Sequence, residues 1–149
     1  MIDEIFSKVN LHKSRAKMAL QEIKEWGNSI DSDIFNDFEK IKVIDTFIYR
    51  FIKLQDIMGD KLFKIFLNEI GEYRDSMSLL DVLDKLEKFH IINSAYSWME
   101  YRKLRNKLTH EYPNSEKDII DGIFLAIDAF NEIEEILFNI IEYRKERGL

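Results

Sequence analysis

The chain has 149 residues, 46% hydrophobic and 34% charged, the size of one domain with enough apolar material for a real core and too much for disorder. Five Gly and one Pro leave little turn material for a many-stranded sandwich or barrel, and the absence of Cys removes disulfides, thiolate metal sites and cysteine nucleophiles together. The net charge of −6 runs against a general nucleic-acid binder, whose affinity depends on cations releasing counterions from phosphate, although a local patch can differ in sign from the sum.

Apolar periodicity reads as helix from end to end. Ile2, Ile5, Phe6, Val9, Ala16, Leu20, Ile23 and Trp26 mark a first helix with Gly27 as its C-cap. A second opens after Ser32 or Asp33 and carries Phe35, Phe38, Ile41, Ile44, Ile48, Phe51, Ile52 and Leu54 to Gly59. Asp60–Ile70 is also helical, stopped by Gly71; propensity leaves open whether Gly59 interrupts or only bends the run. Ser76 or Ser78 caps a shorter helix through Phe89, and Asn93 or Ser94 caps another over Ala95–His110, which Pro113 prevents from passing Tyr112. Ser115 and Asp118 form a capping box with Asp in place of Glu, opening a long final helix that ends near Gly148. The expected fold is all-α: an up-and-down bundle of about five helices, one domain over 1–149 with no linker or repeat. The final helix is apolar around much of its circumference, which fits either a central helix among its own neighbours or burial against a second chain.

No run approaches the roughly 20 apolar residues of a bilayer span. Met1-Ile2-Asp3-Glu4 lacks the basic and apolar regions of a secretory signal, so the expectation is a cytoplasmic protein without a membrane partner. Of three histidines, His12 lies in a charged helix and reads as solvated, and His90 near a helix end reads as partly buried or capping. No two histidines stand at metal-ligand spacing, and phosphate-binding glycine loops and a GxSxG nucleophile elbow are absent. No metal or cofactor is expected.

His110 is distinguished by its company. Arg102, Lys103, Arg105 and Lys107 precede it in the most basic short window of the chain. Asn106 and His110 are i,i+4 neighbours, so the amide is placed to orient the imidazole. Leu104 and Leu108 supply the buried stripe, while Trp98 and Tyr101 fit core or interface positions better than base-stacking ones. Arg105 and His110 lie roughly 140° apart around a regular helix, so they converge only if the helix loosens before Pro113 or if a second protomer brings its own copy. Arg and His together suit phosphoryl transfer: a guanidinium grips two phosphate oxygens, and an imidazole of pKa ~6.5 takes and returns a proton at neutral pH. RNA carries its own nucleophile in the 2′-OH. The competing reading of the same residues is a solvated basic turn.

Arg105-Asn106-Lys107-Leu108-Thr109-His110-Glu111-Tyr112 resembles the RNxxxHxY form of the Rx4–6H motif of HEPN domains. The segment from Tyr49 to Phe63 resembles the corresponding helix of HepT-like proteins, the toxins of two-gene HEPN–nucleotidyltransferase toxin–antitoxin modules. The resemblance implies an all-helical homodimer whose paired motifs line an interface cleft and cleave RNA without metal. It assigns Arg105 to the scissile phosphate, His110 to proton transfer, and Asn106 to positioning, with Arg102 in support. Tyr112 matches the tyrosine that the cognate nucleotidyltransferase antitoxin modifies with AMP; added bulk and negative charge there would block the cleft and repel RNA. Arg50 and Lys53 are candidates to extend the cleft, an ion pair with a nearby carboxylate being the commoner fate of such residues. The alternative is a non-catalytic helical module that binds a nucleotidyltransferase or a nucleotide.

Overall fold

The computed structural model describes residues 1–27, 30–110 and 115–149, the side chain of His110 excepted. Helix α1 spans Ile2–Glu25 and α2 spans Phe38–Ile57, with a 3-10 turn at Ser32–Asn36 before α2. A π turn at Met58–Leu62 joins α2 to α3 (Phe63–Glu69), and α4 (Leu79–Lys88), α5 (Ala95–His110) and α6 (Glu116–Glu146) complete the chain. Among the described residues every regular element is helical. Because α2, the π turn and α3 run on without a break, the molecule is a five-part helical bundle in the sense the periodicity predicts.

Local chemistry fixes the boundaries. Gly27 takes φ +68° after α1, a left-handed conformation that glycine adopts without Cβ penalty. The second helix starts later than expected. Asp31 caps only the short 3-10 turn, and Asp37 caps α2 by accepting from the N–H groups of Glu39 and Lys40. Ser78 and Asp81 form a reciprocal capping box on α4. His90 closes that helix at φ +60°, the lone described non-glycine residue in the left-handed region; its role is a cap, and it is exposed. Ser94 caps α5 through Ser97 N–H, and the Glu87 carboxylate accepts from Ala95 N–H at 2.7 Å, tying the start of α5 to α4. Ser115 accepts from Asp118 N–H at the head of α6.

The core gathers one stripe from each helix. Phe47, Phe51, Phe63, Phe66 and Phe130 are fully enclosed, with Phe47 edge-on to Phe130 at 5.7 Å and Phe63 edge-on to Trp98 at 4.7 Å. Each such side chain, removed from water, contributes roughly 1.5–3 kcal/mol to folding. Trp98 is 2% exposed and belongs to the core, as expected. Leu108 is buried and approaches Gly122 of α6; a Cβ on Gly122 would meet the Leu108 side chain at 3.4 Å, so the absent side chain sets the α5–α6 spacing. Helix α6 buries Ile123, Ala126, Phe130, Ile133, Leu137 and Ile140 but leaves Phe124, Leu125, Phe138 and Ile141 exposed, so its apolar circumference exceeds what the bundle covers. No helix among the described residues is long and apolar enough to cross a membrane.

Candidate functional site

The basic window lies on the outer half of α5, facing the junction of α2 and the π turn. Gly59 sits inside that turn, where Phe63 N–H donates to Met58 O across five residues. The run is therefore neither broken nor simply bent at Gly59: one wide turn absorbs it, and such turns recur at functional positions. The indole of Trp98 packs directly over Gly59, 3.6 Å from where a Cβ would stand.

Arg105 reaches across to α2. Its Nε donates to Asp56 Oδ1 at 2.9 Å and its Nη2 to Asp56 Oδ2 at 2.8 Å, a fork-to-fork pair between residues 49 apart in sequence. Nη1 donates to Asn106 Oδ1 at 3.1 Å. A guanidinium has five N–H groups; three are used here, and two have no partner among the described residues. The hydrogen bond to Asp56 raises the Arg105 pKa above its ordinary value, partial burial opposes this, and the charges of Asp56 and Asp60 add to the rise. The group is fixed in plane and permanently charged.

A cavity of about 170 Å³ opens beside this pair, lined by Gln55, Asp56, Gly59, Asp60, Leu79, Trp98, Arg102, Arg105 and Asn106. The structure thus brings together three of the residues singled out in the sequence, Arg102, Arg105 and Asn106. Asn106 Oδ1 accepts from Arg105, so the amide helps position the guanidinium; its expected contact with the His110 imidazole lies outside the described atoms. The imidazole of His110 lies outside the described atoms, as does all of Tyr112. The backbone of α5 stays regular through His110, so the helix does not loosen between Arg105 and His110.

Two residues of the site carry no signal in the sequence. Asp56 is one acid among 28 acidic residues, and an ion pair spanning 49 positions leaves no local spacing. Gln55 is 4% exposed, and neither its Oε1 nor its Nε2 has a hydrogen-bond partner among the described residues. A buried amide in that state costs on the order of 1–3 kcal/mol, which marks the inner wall of the cavity as a place where stability has been given up. Arg50 has not met the carboxylate expected for it; its Nη1 lies 3.0 Å from His12 Nδ1. His12 is correspondingly half-buried rather than solvated. Burial first, and then the positive charges of Arg50, Lys53 and Arg15, lower its pKa. Among the described residues no group of three or more His, Cys, Asp or Glu side chains is arranged to hold a metal ion.

No family model matches the chain, and no match emerges among curated proteins or solved structures.

Proposed function

We propose that the chain is a metal-independent endoribonuclease of the HEPN toxin type, acting as a homodimer. The observation that supports it most is the state of Arg105: a guanidinium locked in plane by Asp56 and Asn106, with two N–H groups to spare, beside a cavity that Arg102 also lines. In this reading the spare N–H groups bind the non-bridging oxygens of an RNA phosphodiester and stabilise the charge that grows on them. The 2′-OH attacks phosphorus, His110 takes its proton, and the 5′-oxygen leaves as it receives a proton. The phosphate then remains as a 2′,3′-cyclic ester. Because α5 is regular through His110, Arg105 and His110 of one chain diverge by roughly 140°, and the reading places Arg105 of one protomer with His110 of the other. The exposed apolar side chains of α6 give such a dimer surface to bury. Neutralisation follows if a nucleotidyltransferase adds AMP to Tyr112, two residues beyond His110, putting bulk and negative charge at the cleft.

One observation favours a second reading, a non-catalytic helical subunit of a nucleotidyltransferase. The Asp56 carboxylate offsets the Arg105 charge, as it would in a purely structural bridge between α2 and α5. Incubation of purified protein with RNA in EDTA separates the two. The nuclease reading expects cleavage, and a loss of roughly 100-fold or more in Arg105→Ala and His110→Ala, the scale of removing a charge-stabilising or proton-transfer group. Intact RNA leaves the non-catalytic subunit, and full activity in both folded variants removes Arg105 and His110 from the chemistry.

A further inference from the structure

One turn and a half before Asp56, the exposed face of α2 carries a second concentration of positive charge. Tyr49 is 52% exposed. The Arg50 guanidinium carbon lies 5.2 Å from its ring centroid and Lys53 Nζ 5.6 Å. The neighbouring helix α1 contributes His12, which touches Arg50, and Arg15, whose charge acts on His12. None of Arg15, Arg50 and Lys53 has a carboxylate partner among the described residues, so their charges stand together uncancelled in a chain that is acidic overall. The contrast with Arg105 is chemical. A carboxylate orients an arginine and cancels its charge; the ring of His12, with its Nδ1 3.0 Å from Arg50 Nη1, brings no negative charge to cancel it. Burial first, and then the charges of the same three cations, lower the His12 pKa, which favours the uncharged ring against Arg50.

The arrangement joins three requirements of single-strand binding: uncancelled cations, an aromatic ring open to solvent, and a scaffold that holds both rigid. Position completes the argument. Tyr49, Lys53 and Asp56 follow at four- and three-residue spacing on one face of α2, so the ring stands about 10 Å along the axis from the carboxylate that holds Arg105. Asp45 precedes the patch along α2 and Asp56, already engaged by Arg105, follows it, so the patch lies on the same helix as the carboxylate beside the cavity.

We propose that Tyr49, Arg50 and Lys53 of α2, with Arg15 of α1 and with His12 as the residue that aligns Arg50, form a binding subsite for single-stranded RNA flanking the phosphate held at Arg105. Tyr49 stacks a base, and Arg50, Lys53 and Arg15 contact phosphates. The choice of RNA as ligand rests on the nuclease reading; the charge and aromatic geometry stand without it.

The test is fluorescence anisotropy with a labelled single-stranded RNA 12-mer of mixed sequence, titrated at several KCl concentrations. The full chain carries His110→Ala so that binding is read without cleavage. Replacing Arg50 and Lys53 together by Gln weakens binding roughly ten- to hundredfold and flattens the slope of log affinity against log salt by about 1.4, the value for two lost phosphate contacts on a single strand. Tyr49→Ala weakens binding at every salt concentration and leaves the slope unchanged, and its exposed position makes it safe for folding. Arg50→Lys with Lys53→Arg restores both affinity and slope. Parental affinity and slope in the Gln double variant overturn the proposal and leave the patch to an acidic protein partner, and a parent that binds no RNA overturns it as well. Cleavage by the chain with His110 intact is scored separately. RNA cut normally with binding insensitive to Arg50 and Lys53 removes the subsite alone. Salt-dependent binding through these residues without any cleavage removes the nuclease and keeps the subsite.

Discussion

Arg105 is held by contacts that determine what it can do. Asp56 takes its Nε and one Nη hydrogen, Asn106 takes another, and two more have no partner among the described residues beside the cavity that Arg102 also lines. Asp56→Asn keeps the shape, halves the acceptor capacity and removes the negative charge. Because the pair is partly open to solvent, its loss costs the fold only about 1 kcal/mol, readable in urea unfolding. RNA cleavage falls further than that small change in stability accounts for, since the guanidinium is no longer fixed in plane. Gln55 makes the opposite prediction. An enclosed amide without partners works against folding, so Gln55→Met raises the unfolding free energy by roughly 1–2 kcal/mol in the same experiment; a decrease would show that the amide is satisfied in solution. Arg102, Arg105 and Asn106, which line one cavity, were legible in the sequence because they lie on neighbouring turns of one helix. Asp56 and Gln55 were not, since their importance comes from a neighbour brought in by tertiary folding.

Among the helical elements, α2 with its π turn does the most to position the site. Its register sets Asp56 toward α5 and Arg50 toward α1, and the wide turn lets Gly59 accept the face of Trp98. The apolar period runs on at both sides of Gly59, which is why the sequence leaves open an interruption or a bend there and gives no sign of a π turn. The start of α2 was misplaced for a related reason: Asp31, Ser32, Asp33 and Asp37 are all good caps, and only packing selects among them. Gly59→Ala puts a methyl at ordinary contact distance from Trp98 and removes backbone entropy from the unfolded chain, so it stabilises by up to about 1 kcal/mol, seen as a higher melting temperature. The α1–α2 junction carries a pH dependence. The folded-state pKa of His12 is depressed, so the unfolded chain binds its proton more readily. Its contribution to stability is complete above about 6.5 and is lost as the pH falls below that value toward the folded pKa. His12→Gln flattens the stability profile in this range, and an unchanged slope would assign the effect to another group.

At the scale of the whole molecule, one bundle leaves two things unfinished. The final helix is covered on one side and carries Phe124, Leu125, Phe138 and Ile141 outside, and a regular α5 sets positions 105 and 110 roughly 140° apart around its axis. The proposed dimer would cover the first and bring Arg105 of one chain to His110 of the other. Mixing Arg105→Ala and His110→Ala chains and allowing exchange then restores part of the RNA cleavage that each lacks alone, because the mixed dimer retains one site with both groups. Failure to restore activity in a verified mixed dimer would place both groups of each site in one chain. The all-helical fold was readable from periodicity because nearly every turn repeats its apolar positions; the assembly was not, since exposed apolar positions on α6 follow the same period as buried ones. The most direct measurement of the central claim is the chemistry of the RNA ends produced in EDTA. Attack by the 2′-OH, with Arg105 on the phosphate and His110 moving the proton, leaves 2′,3′-cyclic phosphate and 5′-hydroxyl ends. Ends carrying 5′-phosphate, or RNA that stays whole under these conditions, would contradict it.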